Sequence, residues 1–417
     1  MSYPARRRRS YGRPAYCTTD APNRPGPRVP NMHTMSDSIQ RVGVVFGGES
    51  VEHEVSVITA LQAAAALDRS RFFPVPVYIA KNGAWYTGEH LLDVDRYRDT
   101  RTLLAAATRV AAERTDEGAV QLVERTRRRA FGRRRSHAID MFLLALHGGS
   151  GENGGIQGFL ETLNAPYTGS GPAASAIGMD KVLAKTLCES TGVPVVAHAV
   201  VRNAEWLSQE ERWLDRIDQK IGFPAVVKPA GLGSSIGIQR VENRAGLEKA
   251  IEDAFRYDEK ILIEDWVPHL REINCSVLGD PDEAIASVLE EPVGRDDALL
   301  SYADKYQREG GGKAGGKTGP SAGMASLDRM IPANMPDARA REIQELAVAV
   351  FRVLGCSGIA RIDFLMNGAS GELFFNEINT IPGSFSFYLW EPSGIPFDRL
   401  MERLIDLAWR RYHARNA

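Results

Sequence analysis

The sequence predicts an α/β protein of two or three domains, and three observations lead to that prediction. The chain has 417 residues, and one domain takes roughly 100–200 residues. Short apolar runs of strand length end in glycine or polar residues, which is typical of buried parallel strands. Segments with helical spacing alternate with these runs up to residue 175, which favours an open, doubly wound α/β sheet.

The elements are predicted in order along the chain. Residues 81–85 are expected to form a hairpin turn, and the charged segment 89–137 to be irregular and partly helical. Strands are predicted at 41–47, 73–79, 140–147, 225–229, 236–241, 260–266, 273–278, 284–289, 358–365 and 372–379. Helices are predicted at 55–67, 341–354 and 397–412, where apolar residues recur at helical spacing.

Composition excludes several classes of protein. The chain carries 51 Lys and Arg against 53 Asp and Glu, with 43% hydrophobic residues, so it is neither strongly basic nor globally disordered. Its apolar runs are shorter than the roughly 18 residues of a membrane helix. The four cysteines lie far apart along the chain, which argues against a zinc ribbon or a disulfide framework.

Residues 1–40 differ from the rest of the chain. They contain seven arginines, two aspartates and six of the 22 prolines, and no apolar segment follows the arginines. We therefore predict a disordered, basic and proline-rich tail, not a secretory signal. The alternatives are a basic contact arm and a true start at Met32 or Met35. The arginine clusters at 127–129 and 133–135 are interpreted as a solvated helix face because acidic residues surround them.

Two predicted neighbouring strands carry polar residues that share a face. Residues i and i+2 of a strand point the same way, so Arg361 lies beside Asp363, and Glu377 beside Asn379. Carboxylate and amide oxygens suit Mg²⁺, and a guanidinium suits phosphate. The alternative is a salt-bridged pair of strands without a ligand.

Two lysines are candidates for phosphate binding. Lys228 ends a predicted strand and precedes a loop of small residues at 229–237, whose backbone N–H groups can surround phosphate oxygens. Lys181 follows Met-Asp and is the second candidate. The alternatives are a simple hairpin at the loop and a surface lysine at position 181.

Polar residues also follow the first strand and the strand that ends near residue 147. Glu52 and Glu54 lie where an open α/β sheet places its ligands, and so does His147. The alternatives are favourable acidic charge in the first turn of a helix and a histidine satisfied within its turn.

Together these motifs resemble the D-alanine–D-alanine ligase family of the ATP-grasp superfamily. The resemblance runs from about residue 41 to 409. The segments that carry it are Gly-Gly-Glu-Ser-Val-Glu-His-Glu-Val-Ser (47–56), Leu-His-Gly-Gly-Ser-Gly-Glu-Asn-Gly-Gly-Ile-Gln-Gly (146–158), Pro-Tyr-Thr-Gly-Ser-Gly (166–171), Met-Asp-Lys (179–181), Val-Lys-Pro-Ala-Gly-Leu-Gly-Ser-Ser-Ile-Gly (227–237), Tyr-Ala-Asp-Lys-Tyr (302–306) and Asn-Glu-Ile-Asn-Thr-Ile-Pro-Gly (376–383).

The resemblance implies an ATP-grasp fold of three domains that follow the tail at 1–40. These are an N-terminal doubly wound α/β domain (41–178), a central subdomain (179–264) and a C-terminal subdomain (265–417), with ATP held between the last two. It also implies ligation of two D-alanines through an acyl phosphate, for peptidoglycan and cell-wall synthesis. A cytoplasmic homodimer with ATP and D-alanine as substrates, and with no nucleic-acid or membrane partner, is expected.

The family roles transfer to named residues. Catalytic roles are implied for Glu52, Ser234, Tyr306, Arg361 and Gly383, where Arg361 and the Gly383 N–H would stabilise an oxyanion. Substrate binding is implied for His147, Ser56 and Lys305. ATP binding is implied for Lys181, Lys228, Ser235, Glu264, Trp266 and Glu272. Two Mg²⁺ ions, or Mn²⁺ in their place, are expected on Asp363, Glu377 and Asn379.

Two departures from the family pattern leave the acceptor substrate open. The stretch that follows Gly383 is shorter than the usual family stretch, and it lines the pocket of the second substrate in the family. A Gly/Lys-rich insertion occupies about residues 309–325. Tyr306 nevertheless favours synthesis of D-Ala–D-Ala, because a Phe there goes with D-lactate as acceptor. The alternatives are a related carboxylate–amine ligase with a different acceptor in a specialised pathway, and a nucleotide-binding regulator without catalysis.

Overall fold

The computed structural model describes residues 39–125, 135–233, 236–292 and 329–417. The described chain is an α/β structure with three sheets of seven, four and five strands. The predictions for most of the tail, for the loop at 309–325 and for the arginines at 127–129 fall outside the described residues. Within the described part, no helix is long and apolar enough to span a membrane.

The first sheet is mixed, with strand order β6-β5-β4-β3-β2-β1-β7. Its strands are β1 (Gln40–Gly47), β2 (Phe72–Ile79), β3 (Trp85–Thr87), β4 (Thr108–Arg114), β5 (Val120–Glu124), β6 (Ser136–Ile139) and β7 (Met141–Leu144). Strand β1 pairs in parallel with both β2 and β7, whereas the strands from β3 to β6 are antiparallel to their neighbours. The expected parallel sheet is therefore confirmed for these three strands and extended by a meander.

The segment 89–137 corrects the sequence prediction. It contains one short α-helix, α2 (Thr100–Ala106), and two 3₁₀ helices (Glu89–Leu92 and Val94–Asp99), but its remaining described residues supply β4, β5 and part of β6. A tight turn joins β4 to β5: the Thr115 N–H donates to the Ala119 carbonyl at 2.8 Å, and Gly118 is left-handed with φ +88°. The Glu-Gly dipeptide at 117–118 is the turn signal that the sequence interpretation missed.

The first region, which we define as residues 40–179, contains further helices in its described part besides α2. They are α1 (His53–Ala66), α3 (Gly149–Glu152), α4 (Gly155–Thr162) and α5 (Pro172–Met179). The helix predicted at 55–67 and the hairpin turn at 81–85 are confirmed, the latter by a 2.9 Å hydrogen bond from the Ala80 N–H to the Ala84 carbonyl. The loops that follow β1 and β7 thus meet at the carboxyl edge of adjacent parallel strands, where ligands bind in such sheets.

The second sheet is antiparallel, with order β10-β9-β11-β8. Its strands are β8 (His198–Arg202), β9 (Ala225–Pro229), β10 (Gln239–Val241) and β11 (Lys260–Asp265). Helices α7 (Asn203–Lys220) and α8 (Arg244–Ala254) contribute to its own apolar core, and α6 (Lys181–Ser190) precedes β8. Strand β10 is shorter than the predicted 236–241.

The third sheet has order β14-β13-β12-β15-β16 and is also antiparallel. Its strands are β12 (Leu270–Gly279), β13 (Ala284–Pro292), β14 (Arg329–Met330), β15 (Gly358–Asn367) and β16 (Leu373–Asn379). Helix α9 (Asp337–Val353) packs on it and buries Ile343, Ala347 and Val350. A 3₁₀ turn (Gly383–Ser386) and the short α10 (Phe387–Trp390) follow β16.

The last helix, α11 (Phe397–Asn416), packs against the first region although it is far from it in sequence. Its buried face, including Leu400 and Leu404, belongs to the same apolar core as the strand β1. Polar contacts reinforce this packing: Glu402 pairs with Arg71 at 3.2 Å, and the Arg411 guanidinium lies 4.0 Å from the centre of the Tyr167 ring. The described residues of the first region therefore share one core with the helix predicted at 397–412.

Candidate active site

A cleft brings together residues from all three sheet regions. It is lined by Glu52, Glu152, Gly178, Met179, Lys181, Leu232, Gly233, Glu377, Ile378, Asn379 and Thr380. Four of these, Glu52, Lys181, Glu377 and Asn379, were predicted from the sequence to be site residues. They come from the loop before α1, the start of α6 and the end of β16, so folding alone unites motifs that are hundreds of residues apart.

Lys181 is held at the start of α6. The Asp180 carboxylate caps this helix by accepting hydrogen bonds from the N–H groups of Val182 (3.0 Å) and Leu183 (3.1 Å). The Lys181 ammonium donates to the Leu232 carbonyl at 2.6 Å and lies 3.1 Å from a Glu377 carboxylate oxygen. The predicted phosphate-binding lysine and a predicted metal ligand are thus direct neighbours.

A buried ionic triad lies beneath the predicted phosphate loop. The Glu264 carboxylate is bracketed by two ammonium groups, Lys185 at 2.8 Å and Lys228 at 2.5 Å. Burial would raise the pKa of Glu264, but the two lysines outweigh burial and lower that pKa to about 2. Lys228 also donates to the Asn376 side-chain oxygen at 3.1 Å, which links β9 to β16. In this structure each Glu264 carboxylate oxygen therefore pairs with a lysine, Oε1 with Lys185 and Oε2 with Lys228.

Sequence interpretation missed Lys185. The residue is fully buried, and its ammonium also donates to the Phe375 carbonyl at 3.0 Å. Its position four residues after Lys181, on the same helix face, was the available signal. The alternative of a surface lysine at position 181 is also wrong, since Lys181 is 7% exposed.

Two further residues predicted to contact the nucleotide, Trp266 and Glu272, lie within the described residues. Trp266 is half-buried and has the Arg240 guanidinium 4.1 Å from its ring centre. Glu272 is half-buried on β12, and its charge helps to raise the pKa of Lys228 after the opposing effect of burial and the larger effect of Glu264. Both residues are therefore partly accessible, and their contact with the nucleotide stays a prediction.

The predicted metal ligands lie on β15 and β16. Asp363 is the strand partner of Glu377, and Arg361 is the partner of Asn379. Two N–H groups of Arg361, on Nε and Nη2, each donate to the Asp363 carboxylate at 2.7 Å. The Asn379 amide N–H also donates to this carboxylate, at 3.1 Å. Burial raises the pKa of Asp363 despite Arg361, and the charge of Glu377 raises it further.

This donor set fits a hard divalent cation. Among the described residues, no group of three or more His, Cys, Asp or Glu side chains is arranged to hold a metal. The predicted set has instead the buried Asp363 carboxylate, the partly exposed Glu377 carboxylate and the Asn379 amide oxygen. The charge of Glu377 raises the pKa of Asp363, so a cation between the two carboxylates would be favourable. The ion pair between Arg361 and Asp363 lies within β15 and does not join two strands, and from β16 the Asn379 side chain hydrogen-bonds to Asp363.

Two carboxylates flank Gly148 in the turn after β7. The Gly148 N–H donates to Glu152 at 3.0 Å, and a side chain at Gly148 would approach the Glu52 carboxylate to 2.6 Å. Gly148 is left-handed with φ +64°, so glycine is favoured here both by conformation and by space. Burial, and then the charge of Glu52, raise the pKa of Glu152 to about 7. The segment 146–158 contributes to the family resemblance, but the sequence predicted no role for Glu152.

His147 lies behind this pair and is buried. Burial lowers its pKa to about 4, so the ring is neutral at pH 7. Its Nε2 is 2.9 Å from the Thr59 hydroxyl, and that hydroxyl accepts a 3.0 Å hydrogen bond from the Ser384 N–H. His147 therefore reaches the segment that contains Gly383, the predicted oxyanion donor.

The structure does not bring Ser56 to the cleft. Its side chain is fully buried, and its hydroxyl accepts from the Gly47 N–H at 2.8 Å and donates to the Ala145 carbonyl at 2.7 Å. These contacts join the ends of β1 and β7, so the hydroxyl is used within the protein. The predicted sites Ser234, Ser235, Lys305 and Tyr306 lie outside the described residues.

Known protein families and proteins resemble this chain over most of its length. The family model for the D-Ala D-Ala ligase N-terminus matches residues 41–170, and the model for its C-terminus matches residues 187–406. A D-alanine–D-alanine ligase from Heliobacterium modesticaldum is 38% identical over 377 residues, which cover 89% of this chain and 95% of the relative.

Solved structures show the same similarity. The D-alanine–D-alanine ligase from Coxiella burnetii aligns with a TM-score of 0.72 at 27% identity, over 91% of this chain and 96% of that one. The VanG D-Ala:D-Ser ligase from Enterococcus faecalis aligns with a TM-score of 0.72 at 28% identity, over 89% of this chain and 100% of that one. The chain therefore belongs to the D-alanine–D-alanine ligase family and has its three-domain ATP-grasp fold.

Proposed function

We propose that the chain joins two D-alanine molecules in an ATP-dependent reaction that supplies the dipeptide for peptidoglycan synthesis. The observation that carries this proposal is the cleft itself. Glu52, Lys181 and Glu377 line this one cavity, and we propose that they bind an ammonium group, a phosphate group and a metal ion, respectively. A ligase that activates an amino acid with ATP needs these three functions side by side.

The proposed reaction has two steps. A carboxylate oxygen of the first D-alanine forms a bond to the γ-phosphorus of ATP, and the bond from that phosphorus to the β–γ bridging oxygen breaks, which releases ADP. The amine of the second D-alanine then attacks the acyl carbon of the resulting acyl phosphate. Phosphate leaves, the amine loses a proton, and the peptide bond remains.

The lysines are proposed to bind and orient the phosphates. Lys228 keeps its charge because the buried Glu264 raises its pKa against the effect of burial. Lys181 faces the cleft, where Glu377 holds its ammonium group. Ser235, Trp266 and Glu272 are proposed to complete the nucleotide site.

Asp363, Glu377 and Asn379 are proposed to hold two Mg²⁺ ions, with Mn²⁺ as a substitute. When bound, such ions neutralise phosphate charge as it is transferred. The residues themselves supply the oxygen donors, and Arg361 fixes the orientation of the Asp363 carboxylate through two hydrogen bonds.

The donor end of the cleft is proposed to bind the first D-alanine. Glu52 would accept its ammonium group, together with Ser234 and Tyr306, and Lys305 would lie over the site. Arg361 and the Gly383 N–H would stabilise the negative charge of the tetrahedral intermediate. The neutral state of His147 suits a role in holding this part of the site.

The domain boundaries at 40/41, 178/179 and 264/265 are also proposals. The three sheets span residues 40–144, 198–265 and 270–379. Each span lies inside one of the proposed ranges to within one residue. A homodimer in the cytoplasm, without nucleic-acid or membrane partners, is proposed from the family resemblance.

A second candidate function differs in the acceptor. Residues 384–386 form an unusual left-handed turn in the shortened segment that follows Gly383. A D-Ala:D-Ser ligase also lies among the similar solved structures. These observations keep open a related ligase that joins D-alanine to a different amine in a specialised pathway.

The test is phosphate release from ATP and Mg²⁺ with single and paired amino acids, with products identified by mass. D-alanine alone should support turnover and yield the D-Ala–D-Ala dipeptide. Turnover that requires a second, different amine would replace this function with the alternative. A Tyr306→Phe variant tests acceptor control, since we expect it to shift the acceptor towards D-lactate.

A further inference from the structure

The segment after β16 contains the proposed oxyanion donor, and the first region holds it from two sides. We name residues 380–386 the oxyanion loop. Within it, Gly383 lies between Ile381 and Ser384, and both of these residues are hydrogen-bonded to side chains from the first region. The loop is thus fixed on either side of the glycine.

Glu152 makes the first of these attachments. One of its carboxylate oxygens accepts a 3.1 Å hydrogen bond from the Ile381 N–H, and the other accepts a 3.0 Å hydrogen bond from the Gly148 N–H. The side chain is buried and bridges two backbone segments that are more than two hundred residues apart. A carboxylate can accept both bonds at full strength, because it presents two acceptor oxygens.

Thr59 makes the second attachment. This α1 residue is fully buried, and its hydroxyl accepts from the Ser384 N–H at 3.0 Å. His147 supports it from behind, with Nε2 2.9 Å from the same hydroxyl. A neutral ring with its proton on Nδ1 would accept the Thr59 O–H, which leaves Oγ1 free to accept the amide.

The backbone of the loop shows why such attachments are needed. Ser384, Phe385 and Ser386 all have left-handed conformations, with φ of 52°, 51° and 48°. Residues other than glycine adopt the left-handed backbone conformation at a cost in free energy. Three such residues in a row persist only when surrounding contacts impose this conformation. Phe385 is buried in the apolar core of the first region, and Thr59 binds the amide at the start of the run.

We propose that Glu152 and Thr59 are positioning residues, which bind the backbone on either side of Gly383 and so hold its N–H aimed at the reacting carbonyl. Their effect on catalysis rests on the proposed function, whereas their effect on the loop does not. Neither residue needs to touch substrate in this role. The chemical reason is that an oxyanion donor stabilises the intermediate only if it is already oriented when the charge develops.

Two variants test the proposal: Glu152→Gln, which keeps one acceptor oxygen, and Thr59→Val, which keeps the shape of the side chain. Each should lower kcat about 10- to 100-fold, since small misplacements of catalytic groups cost that much, while KM for ATP stays within about twofold. Hydrogen exchange of the ligand-free protein should become faster for peptides that cover 380–386 and stay unchanged at 225–229. Glu152→Ala should have larger effects than Glu152→Gln.

Matched controls are available on neighbouring surfaces. Glu189→Gln removes an exposed carboxylate and Thr186→Val removes an exposed hydroxyl, both on α6, and both variants should behave as the unmodified protein. Unchanged exchange at 380–386 in Glu152→Gln and Thr59→Val would overturn the proposal, even if activity falls. If the unmodified protein shows no D-alanine ligation, the exchange result still decides whether the two residues hold the loop.

Discussion

Two parts of the candidate active site differ in the groups that surround their carboxylates. We call the part where we propose that ATP binds the nucleotide side. There Glu264 lies between Lys185 and Lys228, and Glu377 contacts Lys181. Each of these two carboxylates therefore has an ammonium partner. We call the part where we propose that the first D-alanine binds the donor side. There the Glu152 carboxylate lies near the Glu52 carboxylate and accepts hydrogen bonds from backbone N–H groups.

The difference shows in the pKa values. The two lysines lower the pKa of Glu264 to about 2 against the effect of burial, whereas burial and the neighbouring Glu52 raise the pKa of Glu152 to about 7. On the nucleotide side, each of the two carboxylates is therefore paired with at least one ammonium group. On the donor side, the charge of Glu52 raises the pKa of Glu152, and a bound ammonium group would oppose that effect.

The largest expected effect concerns Glu377, which belongs to the nucleotide side. Glu377→Gln removes the charge that faces Lys181 and one proposed metal ligand, so turnover should fall on the order of 1,000-fold. Phosphate release with ATP, Mg²⁺ and D-alanine measures it. Glu372→Gln, an exposed position just before β16, is the control. Near-normal turnover in Glu377→Gln would contradict the metal assignment.

Lys185→Met tests whether the buried triad stabilises the fold. The change leaves Glu264 with one ammonium partner in a dry environment, and breaking a buried ion pair costs about 3–5 kcal/mol. Denaturant unfolding of the ligand-free protein gives the loss of unfolding free energy. Lys249→Met, on the exposed face of α8, should be neutral. A loss as small as that of the control would show that Lys185 does not stabilise the triad.

The two sides should respond to pH with opposite signs. Because the folded pKa of Glu152 is raised from 4.5 to about 7, its stabilising contribution is complete below pH 4.5 and is lost as pH rises through 7. The unmodified protein should thus gain up to about 3 kcal/mol relative to Glu152→Gln between pH 8 and pH 5. Unfolding free energies of the two proteins at both pH values measure this gain.

Glu264→Gln supplies the opposite arm of that comparison. The folded pKa of Glu264 is lowered to about 2, so its contribution is present above pH 4.5 and is lost as pH falls towards 2. The stability advantage of the unmodified protein over Glu264→Gln should therefore shrink in acid. Parallel pH profiles for the two substitutions would remove the distinction between the two sides.

The smallest effect is expected for Ser56→Ala, close to the donor side but beneath it. Loss of the bonds to Gly47 and Ala145 should cost about 1–2 kcal/mol of unfolding free energy and leave KM for D-alanine unchanged. Ser208→Ala on the exposed face of α7 is the control. A raised KM at unchanged stability would restore the substrate-binding role that the sequence predicted for Ser56.

Much of the fold was predictable because periodicity survives in the sequence. The strands β1, β2, β9 and β16 and the helix α9 follow directly from apolar spacing. The strands β4 and β6 of the meander were missed because they are short, polar and largely exposed or half-buried, so their alternation is weak. Their pairing depends on neighbouring strands, which a local pattern does not report.

The site was predictable where motifs mark it and not where packing creates it. Glu52, Lys181, Glu377 and Asn379 were all expected, and the structure brings them to one cleft. Lys185 was not expected, because its burial arises from β11 and β16, which are distant in sequence. Glu152 was overlooked for the same reason: its partner Ile381 lies 229 residues further along the chain.

The position of α11 has a consequence for the synthesis of the protein. Its apolar face completes the core around β1, so a nascent chain that has emerged from the ribosome with only the first region leaves that core uncovered. Such an intermediate exposes apolar surface until α11 is translated, and surface of this kind attracts chaperones or other unfinished chains. The first region to be made is in this sense among the last to be finished.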